Sequence, residues 1–464
     1  MKVTKLSFLF LISSLSVLVA QDSTSLELVD RIWFDSDISF SGDTTGGSDV
    51  WGYTAPDGEE YALMGVLDGI AIVRVSDMEV IDIVPGPTGN DYYYHRDIKT
   101  YRHYAYAVAE MYGTNQGLMI IDLSPLPDSV RFVGSYINGS DIRSHNLSID
   151  TATGYAYIGK QNYTGYRVVN LADPENPEDV ITVSASNIHD VYARNDTVYV
   201  AEGYSHSFSI FDLSDKENPQ LLARVDVPNP GYVHNIWPTD DGTHIMTTEE
   251  TTGKTVKMWN IEDMENIEVV GEYLGVNSLA HNTHIMGDFA YISHYTAGVT
   301  VVDISDPTNL IEVAQYDTYP LNDNSSFHGC WGAYPFTQNG MVFASDLEGY
   351  LTVLQFTETD TSVFVDEPAQ IPNKVVLHQN YPNPFNPSTV IQYEIPEAAP
   401  VKLVIYDILG RHIKTLLNSV QVPGYKTVIW DGTDEAGRPV SAGIYITIIE
   451  SGNFKDIRKM VLLR

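Results

Sequence analysis

Six histidines recur along the chain at nearly constant intervals, each just ahead of an apolar run. Successive members of this series are 50, 44, 45, 47 and 47 residues apart. The chain has 13 histidines in all, so a series of six at one repeat position is not a scatter of surface residues. Neutral imidazole is a common ligand of copper, iron and zinc, so the series predicts a ligand or metal site where several rings converge. Its members are His95, His145, His189, His234, His281 and His328.

Polar residues follow five of these histidines. An Asn or Asp beside a ligating imidazole can accept its second N–H and hold the ring in place. We expect this role for Asp97, Asn146, Asp190, Asn235 and Asn282. A structural interpretation competes with the metal site, because each imidazole would then hydrogen-bond to the neighbouring repeat. In the first repeat Ser48 takes the position of His328, when SDVWGY (48–53) is aligned with HGCWGAY (328–334).

Few other residues suggest catalysis. Cys330 is the only cysteine, which excludes an intramolecular disulfide and a cysteine-rich metal site. It neighbours Trp331 and is expected to pack. The sequence has no GxSxG, HExxH, P-loop or dinucleotide-binding pattern. The acidic pairs Glu59–Glu60 and Glu249–Glu250 are expected in solvated loops, so we assign no catalytic residue.

The histidines belong to a repeat of about 45 residues. Each unit has an alternating strand with an Asp-rich tail, as in GYRVVNLADPENP (165–177), and a second strand such as DTVYVAEG (196–203). Four short strands per unit are typical of a propeller blade, and seven copies predict a seven-bladed β-propeller. SLELVDRIWF (25–34) is expected to complete the last blade and close the ring. The Asp-rich tails are interpreted as turns, with calcium binding as the alternative.

The net charge and the first twenty residues indicate where the protein acts and what it does not bind. The 464 residues include 26 Lys and Arg against 61 Asp and Glu, a net charge of −35 that disfavours nucleic-acid binding. Lys2 and Lys5 precede an apolar run and small residues, the pattern of a secretory signal at 1–20 cleaved between Ala20 and Gln21. No later stretch is long enough to span a membrane, so the mature chain is expected to be exported without a transmembrane segment.

The repeats resemble the choice-of-anchor B family of LVIVD-type repeat proteins. The resemblance covers about residues 50–356. It rests on segments such as WGYTAPDGEEYALMGVLDGIAIVRVSD and HNTHIMGDFAYISHYTAGVTVVDISDP. The closing WGAYPFTQNGMVFASDLEGYLTVL belongs to the same pattern. This likeness implies a propeller in an extracellular or cell-surface protein, here residues 21–357, and it implies no particular reaction.

A different composition begins after the repeats. Residues 358–374 are acidic and contain proline, as expected of a linker. Residues 375–464 then show strands separated by Asp and Gly turns, which predicts a small Ig-like β-sandwich. NYPNPFNPST, VKLVIYDILGR and WDGTDEAGRPVSAGIY are similar to the type A sorting domain of type IX secretion substrates. That resemblance implies export through the periplasm and recognition by the type IX translocon, with cleavage of the tail left open.

These observations favour an all-β protein that acts as a binding module outside the cell or on its surface. The ligand would be a peptide, glycan or small molecule, met by Tyr-rich loops such as NDYYYHR (90–96). One alternative is a metal-dependent oxidative or hydrolytic enzyme that holds copper, iron or zinc at the histidines. A second is a structural component of a surface layer.

Overall fold

The computed structural model describes residues 24–38, 44–89, 95–137, 143–159, 165–322, 324–358, 374–380, 383, 385, 389–396, 399–421, 424–430, 432–452 and 454–463. The expected signal peptide with its cleavage point at Ala20 and Gln21 lies outside these residues. So do most of the expected linker and residues 90–94 of the Tyr-rich loop. The chain divides into two compact units, Met1–Thr359 and Asp360–Arg464.

Every regular element in the described residues is a β-strand, so the fold is all-β as predicted. Among these residues no helix has the length and apolar character needed to cross a bilayer. The chain starts with β1 (Ser25–Trp33), and β2 (Asp37–Ile38) pairs with β3 (Thr44–Thr45) in a short ladder.

Seven four-stranded antiparallel sheets then account for the other strands described in the first unit. The first four sheets comprise β4 (Gly47–Thr54), β5 (Glu60–Val66), β6 (Gly69–Arg74) and β7 (Glu79–Pro85); β8 (Arg96–Tyr101), β9 (Tyr104–Ala109), β10 (Leu118–Asp122) and β11 (Arg131–Tyr136); β12 (Asn146–Asp150), β13 (Tyr155–Gly159), β14 (Gly165–Asn170) and β15 (Glu178–Ser184); and β16 (Val191–Arg194), β17 (Thr197–Ala201), β18 (Ser207–Asp212) and β19 (Gln220–Asp226). The last three comprise β20 (Val233–Pro238), β21 (His244–Glu249), β22 (Val256–Asn260) and β23 (Glu268–Tyr273); β24 (Thr283–Met286), β25 (Phe289–Ser293), β26 (Val299–Asp303) and β27 (Ile311–Tyr316); and β28 (Cys330–Tyr334), β29 (Met341–Asp346) and β30 (Tyr350–Thr357) with β1.

The seventh sheet joins the two ends of the unit. β1 pairs antiparallel with β30 from Ser25↔Thr357 to Trp33↔Tyr350, as the sequence predicts. The Arg31 guanidinium donates to Asp346 at 2.7 Å and ties β1 to β29. The first strands of successive sheets contact each other in a closed circuit, β4, β8, β12, β16, β20, β24, β28 and back to β4. That circuit brings the segments just ahead of these strands to one place.

Burial explains why these strands stack face to face. In the second strand of each sheet nearly every residue is buried, whereas the outermost strands such as β19 are largely exposed. Val50, Val73 and Val353 from the first and seventh sheets belong to one such core between sheets. A single sheet cannot cover both of its apolar faces, so neighbouring sheets must do it.

The Asp-rich tails form turns. Asp122, Asp212 and Asp303 accept the N–H of the residue two positions ahead at 2.7–2.9 Å, and Asn170 and Asn260 do the same in their units. This pattern is the side-chain-to-backbone bonding for which Asp and Asn are favoured in turns. The turn interpretation therefore accounts for these residues without calcium.

The second unit has two sheets with one core. One has the strand order β31 (Val376–Leu377), β32 (Thr389–Ile395), β35 (Gly424–Trp430), and the other has β34 (His412–Gln421), β33 (Ala399–Asp407), β36 (Gly443–Ser451), β37 (Phe454–Leu462). Trp430, Leu403, Ile449 and Met460 belong to their shared core. β34 is a strand that the sequence pattern did not predict, because HIKTLLNSVQ alternates only weakly.

Candidate functional site

Six aromatic side chains form a closed ring where the circuit of first strands meets. Five are histidines of the repeat series, and the sixth is a tryptophan. Neighbouring ring centroids are 5.6, 4.5, 3.9, 4.3, 4.2 and 4.2 Å apart around the circle. We use the name imidazole ring for this whole circle of six side chains, the tryptophan included. In order, its members are His95, His145, His189, His234, His281 and Trp331.

Hydrogen bonds between neighbouring sheets hold in place the backbone segments that carry the ring residues. Asp97 accepts the N–H of Leu147 at 2.7 Å, and Asn146 accepts the N–H of Val191 at 2.9 Å. Asn235 continues the series by accepting the N–H of Thr283 at 3.2 Å. These polar residues therefore join one sheet to the next, which is why their positions repeat.

Among the described contacts, Asp190 is the one of these polar residues that reaches an imidazole of the ring. Asp190 Oδ1 lies 3.0 Å from His189 Nδ1, and Asp190 Oδ2 accepts from Asn235 at 3.0 Å. Asp97, Asn146 and Asn235 bond to the neighbouring sheet instead. The Asn282 side-chain oxygen is buried and has no hydrogen-bond partner in the part of the chain that the structure describes.

Backbone carbonyls set the orientation of two rings. His189 Nδ1 lies 3.1 Å from the carbonyl oxygen of His234, and His281 Nδ1 lies 2.6 Å from that of Trp331. A carbonyl only accepts, so each Nδ1 carries the proton and Nε2 keeps its lone pair. His281 Nε2 is buried without a hydrogen-bond partner in the described chain. These contacts agree with the structural interpretation, in which each imidazole bonds to the neighbouring repeat. They also leave the Nε2 lone pairs able to bind a ligand.

Two carboxylates that the sequence pattern did not assign to the site reach the imidazole ring: Glu110, and Glu250, which was expected in a solvated loop. Glu110 lies between two of its members, 3.3 Å from His95 Nδ1 and 3.1 Å from His145 Nδ1. Glu250 Oε2 lies 3.8 Å from His234 Nε2, and Glu250 Oε1 accepts a hydrogen bond from the Tyr295 hydroxyl. The ring is therefore flanked by carboxylates on two sides.

Burial and the neighbouring groups shift the pKa values of the histidines and of the adjacent carboxylate in ways that fix their charges. Burial and the adjacent histidines lower the pKa of His234 well below its usual value, and burial lowers the pKa of His281 to about 3. Burial alone would raise the pKa of Glu110, but His145 and His95 lower it well below its usual value. His234 and His281 are thus neutral imidazoles at neutral pH, and Glu110 is an anion.

His328 does not join the others. Its Nδ1 lies 2.8 Å from Glu348 Oε1, its ring stacks on Tyr319, and its side chain is 30% exposed. Trp331, three residues later, completes the ring instead. Ser48 of the first sheet is buried and accepts the N–H of Arg96 at 3.2 Å, so it contributes no ring either.

Several other sequence expectations change in the structure. Glu60 and Glu249 are buried and not solvated: Glu60 accepts the N–H of Gln338, and Glu249 pairs with Lys257. Glu60 is the first residue of β5 and Glu249 is the last residue of β21, and this position at the end of an apolar strand could have indicated that both are buried. Cys330 is buried as expected, and burial raises the pKa of its thiol well above its usual value.

A cavity of about 50 Å³ is lined by four histidines of the imidazole ring and by Trp331, whereas His189 is not part of its lining. Lys99, held by Asp49 and Asp97, lines it further along. There, aromatic rings from different sheets meet across the circuit: Trp51 lies 5.8 Å and Trp237 lies 4.5 Å from the ring of His284.

Three groups in this region bring ligand atoms within 4.8 Å of one another. One has three histidines, and the other two each pair two histidines with a carboxylate. They are His145–His189–His234, His95–Glu110–His145 and His234–Glu250–His281.

Comparisons with known proteins agree with this architecture. The LVIVD repeat profile matches residues 279–318, and the FlgD Ig-like domain profile matches residues 386–452. No curated protein sequence matches the chain. The fold is similar to the WD40 repeats of RRP9, with a TM-score of 0.52 and 10% identity over 72% of this chain and 100% of that one. It is also similar to U3-55K, with a TM-score of 0.50 and 9% identity over 71% of this chain and 99% of that one.

Identities this low show the fold alone. The first unit is a β-propeller built from repeats, one of which is an LVIVD repeat.

Proposed function

We propose that this chain is an exported seven-bladed β-propeller of the choice-of-anchor B type, which binds a glycan or peptide at the mouth lined by the imidazole ring. Each four-stranded sheet of the first unit is one blade in this proposal, and the second unit is an Ig-like sorting domain. Propellers present a rigid, concave surface, and such surfaces are common binding sites.

An aromatic path from the imidazole ring to solvent carries the proposal. The Tyr232 ring lies 5.2 Å from His189 and 4.6 Å from Tyr204, which is 73% exposed. Tyr295 lies 5.0 Å from His281 and 5.2 Å from Phe327, which is 50% exposed. Exposed aromatic rings are suited to stack on sugars or on peptide side chains. The flanking carboxylates favour neutral or cationic ligands.

Glycan and peptide arrays probed with the purified full chain test the binding. Tyr204→Ala and Phe327→Ala should each reduce array binding roughly five- to thirtyfold, since an aromatic contact is worth roughly 1–2 kcal/mol. Leu221→Ala removes an apolar side chain that is 55% exposed on β19 and is the matched control. Equal binding by all four proteins, or none by the wild type, contradicts the proposal. Self-assembly at micromolar concentration without array binding favours the surface-layer alternative.

Export is tested separately. The resemblance of residues 375–464 to type A sorting domains supports recognition by a type IX translocon. In a bacterium with that system, the full chain should reach the cell surface or the medium, and a chain ending at residue 374 should stay in the periplasm. Both chains keep residues 1–20, so entry into the periplasm is matched. Surface delivery of the shortened chain contradicts this part of the proposal.

A further inference from the structure

We infer that the propeller mouth holds one first-row divalent transition-metal ion of the zinc and copper class, bound by Nε2 of His145, His189 and His234. The inference rests on the proposed function only in placing a ligand at this mouth. Three neutral imidazoles with an open fourth position form a familiar coordination set for zinc.

The distances in this triad suit a metal after small side-chain rotations. Its ligand atoms lie within 4.8 Å of one another, and the ring centroids are 4.5 Å apart for His145–His189 and 3.9 Å apart for His189–His234. Zinc binds imidazole nitrogen at about 2.0–2.1 Å, which places two ligands of a tetrahedral site roughly 3.3 Å apart. The rings therefore need to close by at most about 1.5 Å per pair.

Nδ1 of His189 and of His145 lies beside an acceptor of the kind that metal-bound histidines use, whereas His234 Nδ1 has no hydrogen-bond partner in the described chain. His189 Nδ1 lies 3.1 Å from a carbonyl oxygen and 3.0 Å from Asp190 Oδ1. His145 Nδ1 lies 3.1 Å from Glu110 Oε1, and His234 Nδ1 has Asp190 Oδ2 as its nearest carboxylate at 4.0 Å. A ligating histidine usually donates its second N–H to a carboxylate or a carbonyl. This arrangement leaves Nε2 as the ligand atom.

The two alternative groups fit a metal less well. Glu110 is already paired with His95 and His145, and Glu250 already accepts from the Tyr295 hydroxyl. A metal at the Glu110 group would break the pairing of Glu110 with both histidines, whereas the three-histidine set keeps it. His281 belongs to the alternative group with Glu250; it is 1% exposed, and its Nε2 is a further acceptor beside the triad with no hydrogen-bond partner in the described chain.

Zinc binding to the metal-free full chain tests the inference. The chain is stripped with a chelator and titrated with ZnCl2 by calorimetry, and its zinc content is then measured by elemental analysis. We expect one zinc per chain, with Kd at least 100-fold higher in His145→Gln and in His189→Gln. His328→Gln is the matched control because it belongs to the same repeat series but lies outside the ring, and its Kd should equal that of the wild type.

The outcomes decide the inference in either direction. No stoichiometric zinc, an unchanged Kd in both triad variants, or an equal loss in His328→Gln overturns it. If the triad variants unfold, diethylpyrocarbonate labelling of the wild type replaces them: zinc should protect His145 and leave the exposed His103 reactive. Equal labelling of His145 with and without zinc overturns the inference.

The same metal-free preparation is also applied to the glycan and peptide arrays. Array binding without zinc uptake refutes the metal site and leaves the proposed function standing. Zinc uptake without array binding supports the metal site and contradicts the proposed function.

Discussion

Buried histidines in this protein differ in what their nitrogens meet. His189 and His281 have a carbonyl oxygen at Nδ1, which orients their rings, and burial keeps His281 neutral at neutral pH. His294 lies outside the imidazole ring, is 1% exposed, and has no hydrogen-bond partner at either nitrogen in the described chain. Burial alone lowers the pKa of His294 to about 4. Its neutral form packs on Gly275, where a side chain would collide with the ring.

His294 should make the propeller sensitive to acid. Its pKa is about 6.5 in the unfolded chain and about 4 when folded, so between these values the unfolded chain binds the extra proton. Its contribution to stability is complete above pH 6.5 and is lost as pH falls toward 4, by about 3 kcal/mol in total. His294→Leu should flatten the dependence of the unfolding free energy on pH over this range, measured by urea denaturation.

The exposed His103→Leu is the control for that measurement and should leave the slope unchanged. A His294→Leu protein with the wild-type slope would show that His294 does not cause the acid sensitivity.

At the scale of elements, ring closure depends on one strand. β1 is separated from β30 by the whole length of the repeats, yet it supplies the outer strand of their last sheet. Its Arg31 reaches Asp346, whose side chain is only 1% exposed. Burial raises the pKa of Asp346 to about 7, and Arg31 acts against that rise. The pair therefore links closure of the propeller to a buried charge.

Removing Arg31 should weaken the closure. Arg31→Met leaves Asp346 buried without its cation, and breaking a buried pair in this way typically costs about 3–5 kcal/mol. The measurement is the free energy of unfolding in urea at about pH 8, above the pKa of about 7, where the Asp346 carboxyl is ionised in the wild type. Arg31→Met with Asp346→Asn should regain part of the loss, because the buried charge is gone.

The control for the closure experiment is Arg194→Met. Arg194 pairs with Asp240 at 3.3 Å on the surface, and exposed pairs contribute less than about 1 kcal/mol. Similar losses in Arg31→Met and Arg194→Met would mean that the Arg31 pair has no special part in closure.

At the scale of the whole molecule, charge and packing oppose each other. The chain carries a net charge of −35, while the propeller and the second unit each have their own buried core. Apolar burial between sheets supplies the cohesion, and like charges on the surface weaken it. The single cysteine means that no intramolecular disulfide shares this task.

Salt should therefore stabilise the protein. Screening by NaCl shortens the range of the repulsion, so Tm should rise by a few degrees between about 20 and 500 mM NaCl. Calorimetry near neutral pH measures this rise, and sucrose of equal osmolality is the control for non-ionic effects. A Tm that stays constant, or that rises equally in sucrose, would show that repulsion is not a main destabilising term.

Local patterns predicted most of the fold because strand and turn formation depend on neighbouring residues. Alternating apolar residues predicted strands such as β14 and β17, and Asp or Asn followed by polar residues predicted the turns after Asp122, Asp212 and Asp303. β34 was missed because its side chains alternate too weakly to reveal a buried face.

The imidazole ring was only partly predictable. The repeat spacing brought five histidines together, since equivalent positions of stacked units face one axis. It failed at His328, because Trp331 of the seventh sheet fills that place and Glu348 holds the histidine elsewhere. Glu110 and Glu250 directly follow the apolar strands β9 and β21, and the spacing of the histidines alone did not connect these carboxylates with the site.

The sequence alone determined that this is an all-β repeat protein with a second, different domain and a series of histidines at equivalent positions. These properties follow from the period of the side chains along the chain. Only the tertiary structure decided which aromatic ring completes the circle, which nitrogens keep a lone pair, and which carboxylates lie beside them. Such contacts join residues from different sheets, and their distances are set by how the sheets pack around the axis.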